Sequence, residues 1–240
     1  MPDSPRFFCL ATQAWSSHLP SPQLALAEPN GLLAMGGSLM PQTLLDAYRV
    51  GIFPWFSVGQ PILWWSPTPR AVLRPSEFHR SRSLKRTLAQ QAWRITLDAR
   101  FAEVVAACGG PRRGQDSTWL SCEMQAAYVE LHRAGHAHSL ECWLDETLVG
   151  GIYGVTIGQI FFGESMFSRI SDGSKVALFA LCQRLQRWGY RLLDCQIPNP
   201  HLVTLGMSLL TREQFQLALA AGCAANPTVH AWASEQDARP

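Results

Sequence analysis

Asp194 and Gln196 stand two residues apart in RLLDCQI, a short apolar run that reads as a strand. Residues two apart on a strand project to the same side, so a carboxylate and an amide are expected to converge on one substrate atom while Cys195 faces the other way. That geometry suits aminolysis of an ester, in which a neutral amine attacks a carbonyl, an oxyanion develops and the leaving oxygen takes a proton. An α-amine, with a pKa of about 7.7–8.0, is already partly neutral near pH 7, so strong base catalysis is not obligatory. A glutamine amide is too weakly basic to hold a proton. Gln196 is therefore expected to orient the amine through its carbonyl oxygen, and Asp194 to polarise or position it. The alternative places much of the rate in the alignment of two substrates, with a substrate hydroxyl assisting proton transfer. A plainer possibility also stands: an Asp and a Gln that end a strand and satisfy nearby backbone.

Between positions 70 and 94, Arg70, Arg74, Arg80, Arg82, Lys85, Arg86 and Arg94 are set against one acid, Glu77. In SRSLKRTLAQ, Arg82, Lys85 and Arg86 fall on one helical face while Leu84 and Leu88 take another, so the charges can line up toward phosphates. A charge run is ordinarily a solvated face, but the scarcity of acids favours a nucleic-acid contact. His132, His136 and His138 raise the question of a metal. The spacing answers against it: no carboxylate or cysteine completes a ligand set, and Gly135 before His136 marks a turn. Seven cysteines, an odd number without CxxC spacing, read as reduced thiols of a cytoplasmic protein.

The elements that must hold these residues alternate from Arg70 onward. AVLRP, WRITLD and RLLDCQI read as strands; SRSLKRTLAQQ, FAEVVAAC, CEMQAAYVELHRAG and REQFQLALAAG as helices. HSLECWLD, LVGGIYGVTIG and QIFFGESMF, separated by Asp145-Glu146 and Ile157-Gly158-Gln159, form an antiparallel meander. Ser174 is placed to cap SKVALFALCQRLQRWG, whose Leu178, Leu181, Cys182, Leu185 and Trp188 share a face. Before residue 70, TLLDAYRVG is a helix stopped by Gly51, and PWFSVGQPILWWSPTP is an irregular, aromatic-lined connection. The expected fold is α+β: a small N-terminal lobe over 1–69, then a domain over 70–240 with a mixed, largely antiparallel sheet flanked by helices. The element order of that domain is the order of a GNAT-like acyltransferase.

The whole chain is consistent with such a body. Its 240 residues, 47% hydrophobic, can fill a core, and the charged fraction of 16% excludes a disordered, highly charged protein. A net charge of +2 does not by itself announce a nucleic-acid binder. The charge-poor stretches 50–69 and 147–163 are too interrupted by proline and glycine to span a membrane, and the N-terminus lacks the pattern of a secretory signal.

Six tracts taken in order carry a specific resemblance: EPNGLLAMGGSL (28–39), YRVGIFPWFS (48–57), PILWWSPTPRAVL (61–73), GHAHSLECW (135–143), FFGESMFSR (161–169) and LLDCQIPNPH (192–201). The chain resembles the bacterial leucyl/phenylalanyl-tRNA–protein transferases from about residue 19 to about 222. The resemblance implies transfer of Leu or Phe, and Met less well, from aminoacyl-tRNA to the N-terminal amine of proteins beginning with Arg or Lys, marking them for N-degron degradation. It implies no metal or cofactor, and the chain is expected to act as a cytoplasmic monomer.

Residue by residue, it places Asp194 and Gln196 at the catalytic positions, and Glu164 and Asn199 near the terminal adenosine or the incoming amine. Tyr48, Trp55, Trp119 and Tyr128 fall around the terminal adenosine, where rings can stack on a base. Ile152, Phe161, Leu178 and Leu193 fall in the pocket for the donated amino acid; Ile152 departs from the methionine common in the family. Arg80, Arg82, Lys85 and Arg86 are expected on the tRNA backbone. Two rivals remain. An acetyl-CoA-dependent GNAT enzyme requires a glycine-rich pyrophosphate loop, and SRISDGS lacks the RxxGxG/A pattern. A non-catalytic tRNA-binding module leaves Asp194, Gln196 and Glu164 without a use.

Overall fold

The proline- and tryptophan-rich N-terminal third forms a sheet of its own. In the computed structural model, which describes residues 8–10, 19–110, 120–228 and 231–232, four short strands pair in the order β1-β2-β4-β3: β1 (Phe8–Leu10), β2 (Leu32–Gly36), β3 (Phe53–Pro54) and β4 (Leu63–Trp65). The tract expected to be irregular thus contributes β4 and the last residue of β3. Trp64 is fully buried and its indole N–H donates to the Gly36 carbonyl at 2.9 Å, while Pro54 sits on an edge strand where a missing N–H costs little. Helix α1 (Pro41–Arg49) starts with Pro41 in its first turn, where the absent N–H has no partner to lose.

The second sheet has seven strands in the order β11-β5-β10-β9-β8-β7-β6. These are β5 (Arg70–Leu73), β6 (Arg94–Leu97), β7 (Ala137–Leu144), β8 (Thr147–Ile157), β9 (Ile160–Ser168), β10 (Leu192–Gln196) and β11 (Ser208–Leu210). The expected meander is β7-β8-β9, and Asp145, with φ of 50°, opens its two-residue turn in the left-handed conformation such hairpins need. β9 and β10 run parallel; every other neighbouring pair in this sheet is antiparallel. The α+β class with a mixed, largely antiparallel sheet is therefore what the chain adopts.

Among the described residues six helices accompany this sheet: α2 (Arg82–Gln90), α3 (Phe101–Cys108), α4 (Cys122–Arg133), α5 (Gly173–Arg187), α6 (Pro200–Val203) and α7 (Arg212–Cys223). Alternation along the strands sorts the core into two sides. Ile152, Phe161 and Leu193 pack with Leu178, Leu181 and Leu185 of α5, whereas Tyr153, Val155 and Phe162 pack with residues of α1, α3 and α4. Ser174 does not cap α5. Asp172 takes the cap position with φ of 65°, and the backbone N–H of Ser174 donates to the Ser168 hydroxyl at 3.1 Å. Strand membership divides the chain between Trp65 and Arg70, but the hydrophobic core does not: Leu44, Tyr48, Phe53 and Trp64 belong to the same cluster as Tyr128, Phe162 and Phe215. Among the described residues no helix is long and apolar enough to cross a membrane.

Candidate active site

The parallel pairing of β9 with β10 runs from Ile160↔Leu192 to Phe162↔Asp194 and ends there. Both strands bulge just beyond that point. In β9 the partners of Tyr153 and Gly154 are Ser165 and Gly163, so Glu164 is an extra residue. In β10 the partners of Val72 and Ala71 are Asp194 and Gln196, so Cys195 is extra. A bulge bends its strand and reverses the facing of every residue after it, and bulges are frequent beside active sites. Here a cleft of about 230 Å³ opens beside the two bulges. Ile152, Met166, Leu178, Leu193 and Leu202 supply its apolar lining, and Glu164, Ser165, Cys195 and Gln196 its polar lining. This is smaller than the ~300–1,000 Å³ of drug-sized pockets and suits a single amino-acid side chain.

Glu164 anchors the polar side. Its Oε1 accepts from the Tyr48 phenol at 2.6 Å and from Gln196 Nε2 at 2.9 Å, its Oε2 accepts from the Tyr128 phenol at 2.5 Å, and the two phenol oxygens are 3.0 Å apart. Tyr48 comes from α1, Tyr128 from α4, Glu164 from β9 and Gln196 from β10, so four elements meet on one carboxylate. Burial raises the Glu164 pKa to about 7; the charge of Asp194 adds to this, while the tyrosine and glutamine hydrogen bonds oppose it. Tyr48 and Tyr128 are pushed well above the usual phenol value, first by burial and then by the charge of Glu164, and so stay protonated donors. With Glu164 ionised, the amide nitrogen of Gln196 donates to it, which leaves the amide carbonyl oxygen as the free end of a side chain that lines the cleft.

Asp194 corrects the expectation drawn from strand alternation. The bulge at Cys195 intervenes, Gln196 adopts φ of 64°, and the two side chains part instead of converging. Asp194 has 0% exposure. Its oxygens are held bidentately by buried Arg70, Nε to Oδ1 at 2.8 Å and Nη2 to Oδ2 at 2.7 Å, and Oδ1 also accepts the backbone N–H of Gln196 at 2.9 Å. Asp194 thus meets Arg70 and the Gln196 backbone, and its complete burial shuts it off from the cleft. Cys195, expected to face away, lines the cleft beside Gln196; burial and then the charge of Asp194 push its thiol well above the usual value. The Arg70 guanidinium lies over the rings of Phe53 and Phe215, 4.8 and 4.7 Å from their centroids, which removes it from the basic surface run.

The other expected site residues scatter. Ile152, Leu178 and Leu193 line the cleft; Phe161 packs in the same core cluster but does not line it, its ring lying against Trp232 at 5.8 Å. Met166 and Leu202 line it and were missed. Met166 lies past the bulge, where the phase has flipped to put it opposite Ile152, and only knowledge of the bulge would have exposed it. Trp55 is 41% exposed and packs on Trp65 at 5.6 Å, outside the hydrogen-bond cluster around Glu164. Asn199 is exposed and caps α6 by accepting from the His201 N–H at 2.8 Å. Trp119 lies outside the described residues. Arg82, Lys85 and Arg86 are exposed on α2, and Arg80, also exposed, reaches over the Phe179 ring at 5.3 Å.

A carboxylate does join the histidines, contrary to the spacing argument. Asp98 arrives from the end of β6, and Asp98, His132 and His138 each place a ligand atom within 4.8 Å of the others. Both Nδ1 atoms already have protein partners, the Ala137 carbonyl at 2.8 Å for His132 and Asp98 at 2.7 Å for His138. The rings are stacked on Phe101 and Trp232. His136 is not in the group.

A mixed sheet whose parallel strands bulge beside an amino-acid-sized apolar cleft, with acceptor and donor groups converging at its side, has the arrangement of an acyl-transfer enzyme. The sequence profile described as "Leucyl/phenylalanyl-tRNA protein transferase" matches residues 72–220, and the profile of that protein's N-terminal domain matches residues 37–68. Relatives named leucyl/phenylalanyl-tRNA–protein transferase include those of Cellvibrio japonicus, 52% identical over 85% of this chain and 87% of the relative, and Shewanella baltica, 55% identical over 82% and 83%. That of Pseudomonas syringae pv. syringae is 54% identical over 83% and 87%. The chain belongs to the leucyl/phenylalanyl-tRNA protein transferase family.

Proposed function

We infer that this protein moves a leucyl or phenylalanyl group from an aminoacyl-tRNA to the N-terminal amine of another protein, forming a peptide bond. The observation that carries this is the cleft between β8, β9, β10 and α5: apolar, sized for one side chain, and bordered by the Glu164–Gln196 pair. An apolar lining favours Leu and Phe over polar side chains but separates neighbouring apolar groups by only about 1–3 kcal/mol per methylene, so Met is a poorer donor rather than an excluded one. The carbonyl oxygen of Gln196, left free by the bond to Glu164, accepts a hydrogen bond from the attacking amine and aims its lone pair. Asp194 acts on Gln196 and not on the substrate. With Arg70 behind it, it holds the backbone at the left-handed turn that points the amide inward.

The exposed cations Arg80, Arg82, Lys85 and Arg86 fit a phosphate backbone. The terminal adenosine then falls to Tyr48, Tyr128, Trp55, Trp119 and Asn199; the two tyrosines, fully buried, act there only through their hydrogen bonds to Glu164. An anionic site favours acceptors beginning with Arg or Lys, and a cytoplasmic monomer acting in N-degron marking is the setting the family resemblance suggests. An acetyl-CoA reaction is disfavoured by Asp172. Its carboxylate sits at the start of α5, bonded to Lys175 at 2.6 Å and Thr87 at 3.0 Å, where a pyrophosphate would meet a like charge. Incubation with labelled Phe-tRNA and a protein beginning with Arg, without ATP or acetyl-CoA, is expected to label the protein. Label that passes only when acetyl-CoA is supplied would overturn the assignment.

A further inference from the structure

We propose that Glu164 is the proton shuttle of the transfer: its carboxylate takes a proton from the attacking amine as the N–C bond forms and gives it to the 3′-oxygen of the tRNA as the C–O bond breaks. The proposal rests on the aminoacyl-transfer reading above and supplies its missing proton path. Protons balance, since one leaves nitrogen, one reaches oxygen and Glu164 is regenerated; the extra proton of an acceptor that arrives as an ammonium goes to solvent beforehand.

The geometry points to Glu164 first by capacity. A carboxylate has about four lone-pair sites. Tyr48 and Gln196 occupy two on Oε1 and Tyr128 one on Oε2, which leaves Oε2 with one site on a residue that lines the cleft and is not fully buried. Glu164 and Gln196 line the same cleft, so an amine bound there meets both side chains.

Elimination points the same way. Asp194 is closed off by Arg70, a glutamine amide is not a base, and Tyr48, Tyr128 and the Cys195 thiol are all held protonated at neutral pH. The titratable and charged groups facing Glu164 are Tyr48 of α1, Tyr128 of α4, Tyr153 of β8 next to both tyrosines, and Asp194 and Cys195 of β10, with Arg70 of β5 neutralising Asp194. Glu164 itself is raised to about 7. Both of its protonation states are therefore accessible near neutral pH, so it can take up a proton and return it, the condition under which acid–base catalysis is most effective.

The test is the pH dependence of transfer from Phe-tRNA to an Arg-initiated peptide, measured for wild type, Glu164→Gln and Tyr128→Phe. Wild type is expected to show a limb near pH 7 in addition to that of the amine. Glu164→Gln, which preserves shape, should lose about 10²–10⁴-fold in kcat and the limb with it, while the KM for Phe-tRNA changes by less than about threefold. Tyr128→Phe removes a donor that favours the ionised carboxylate and should move the limb upward while leaving the amine's in place. A Glu164→Gln enzyme within tenfold of wild type, or one that keeps the lower limb, would overturn the proposal, as would a Tyr128→Phe profile that does not move. Absence of transfer by wild type would instead refute the underlying reaction.

Discussion

The Arg70–Asp194 pair lies entirely inside the protein, and its role is decided by what each atom touches. Two carboxylate oxygens take two guanidinium bonds and one backbone N–H, and that last bond reaches Gln196. Removing one partner of a buried pair leaves an uncompensated charge, at a cost of about 3–5 kcal/mol. Asp194→Asn is therefore expected to lower both stability and turnover, while Gln196→Ala lowers turnover with stability nearly intact and tRNA affinity unchanged. Urea unfolding together with steady-state rates checks the division; an Asp194→Asn protein as stable as wild type would refute the structural half. Glu164 makes an opposite demand on pH. Its folded pKa, about 7, is above the ordinary carboxylate range, so the folded protein binds its proton more tightly than the unfolded chain does. The stabilisation is complete below the unfolded pKa and is lost as pH rises through about 7. Wild type should lose unfolding free energy between pH 6 and 8 by an amount that Glu164→Gln does not share, and denaturation at the two pH values reads the difference.

At the level of elements, periodicity made the meander, its hairpin turn, β10 and every α-helix but the short α6 among the described residues legible, because each is written in local alternation or helical spacing. It failed where a strand's geometry is decided by its neighbours. Nothing within RLLDCQI signals that Cys195 is an extra residue, and nothing within FFGESMF signals it for Glu164; both bulges arise from register against β5 and β8. That one omission accounts for the wrong facing of Asp194 and Cys195 and for overlooking Met166. Asp98 escaped for a related reason, since it meets His138 through the pairing of β6 with β7 and His132 through the packing of α4 against β7. Helix α2 was easier, being exposed and amphipathic with only Leu84 fully buried. If its charges meet phosphates, Arg82→Ala with Lys85→Ala should raise the KM for aminoacyl-tRNA, leave kcat near wild type and flatten the log–log dependence of binding on salt by about 1–2. Filter binding across a salt series measures this. An unchanged slope would return α2 to the status of a solvated face.

Across the whole molecule, the N-terminal sheet and the larger sheet are tied by contacts that also serve the site. Arg212 at the start of α7 donates to the Ser66 hydroxyl and carbonyl at 3.0 and 2.9 Å, Gln216 donates to the Val50 carbonyl at 3.0 Å, and Phe215 covers Arg70. Gly51 sits within this seam. Its φ is +79°, and a Cβ added there would stand 2.7 Å from a ring carbon of Phe215. Alanine at this position suffers the left-handed penalty of about 1–2 kcal/mol and must also push the ring that covers Arg70. Tyr48, three residues earlier, is one of the donors on Glu164, so a displaced α1 is felt at the cleft. Gly51→Ala is expected to lower the unfolding midpoint and kcat together, although the residue does not line the cleft. Because the core is continuous across the seam, far-UV circular dichroism and tryptophan fluorescence should report one coincident transition in wild type and variant alike. Two separated transitions in wild type would show the lobes to be independent and would leave the coupling of Gly51 to turnover without a path.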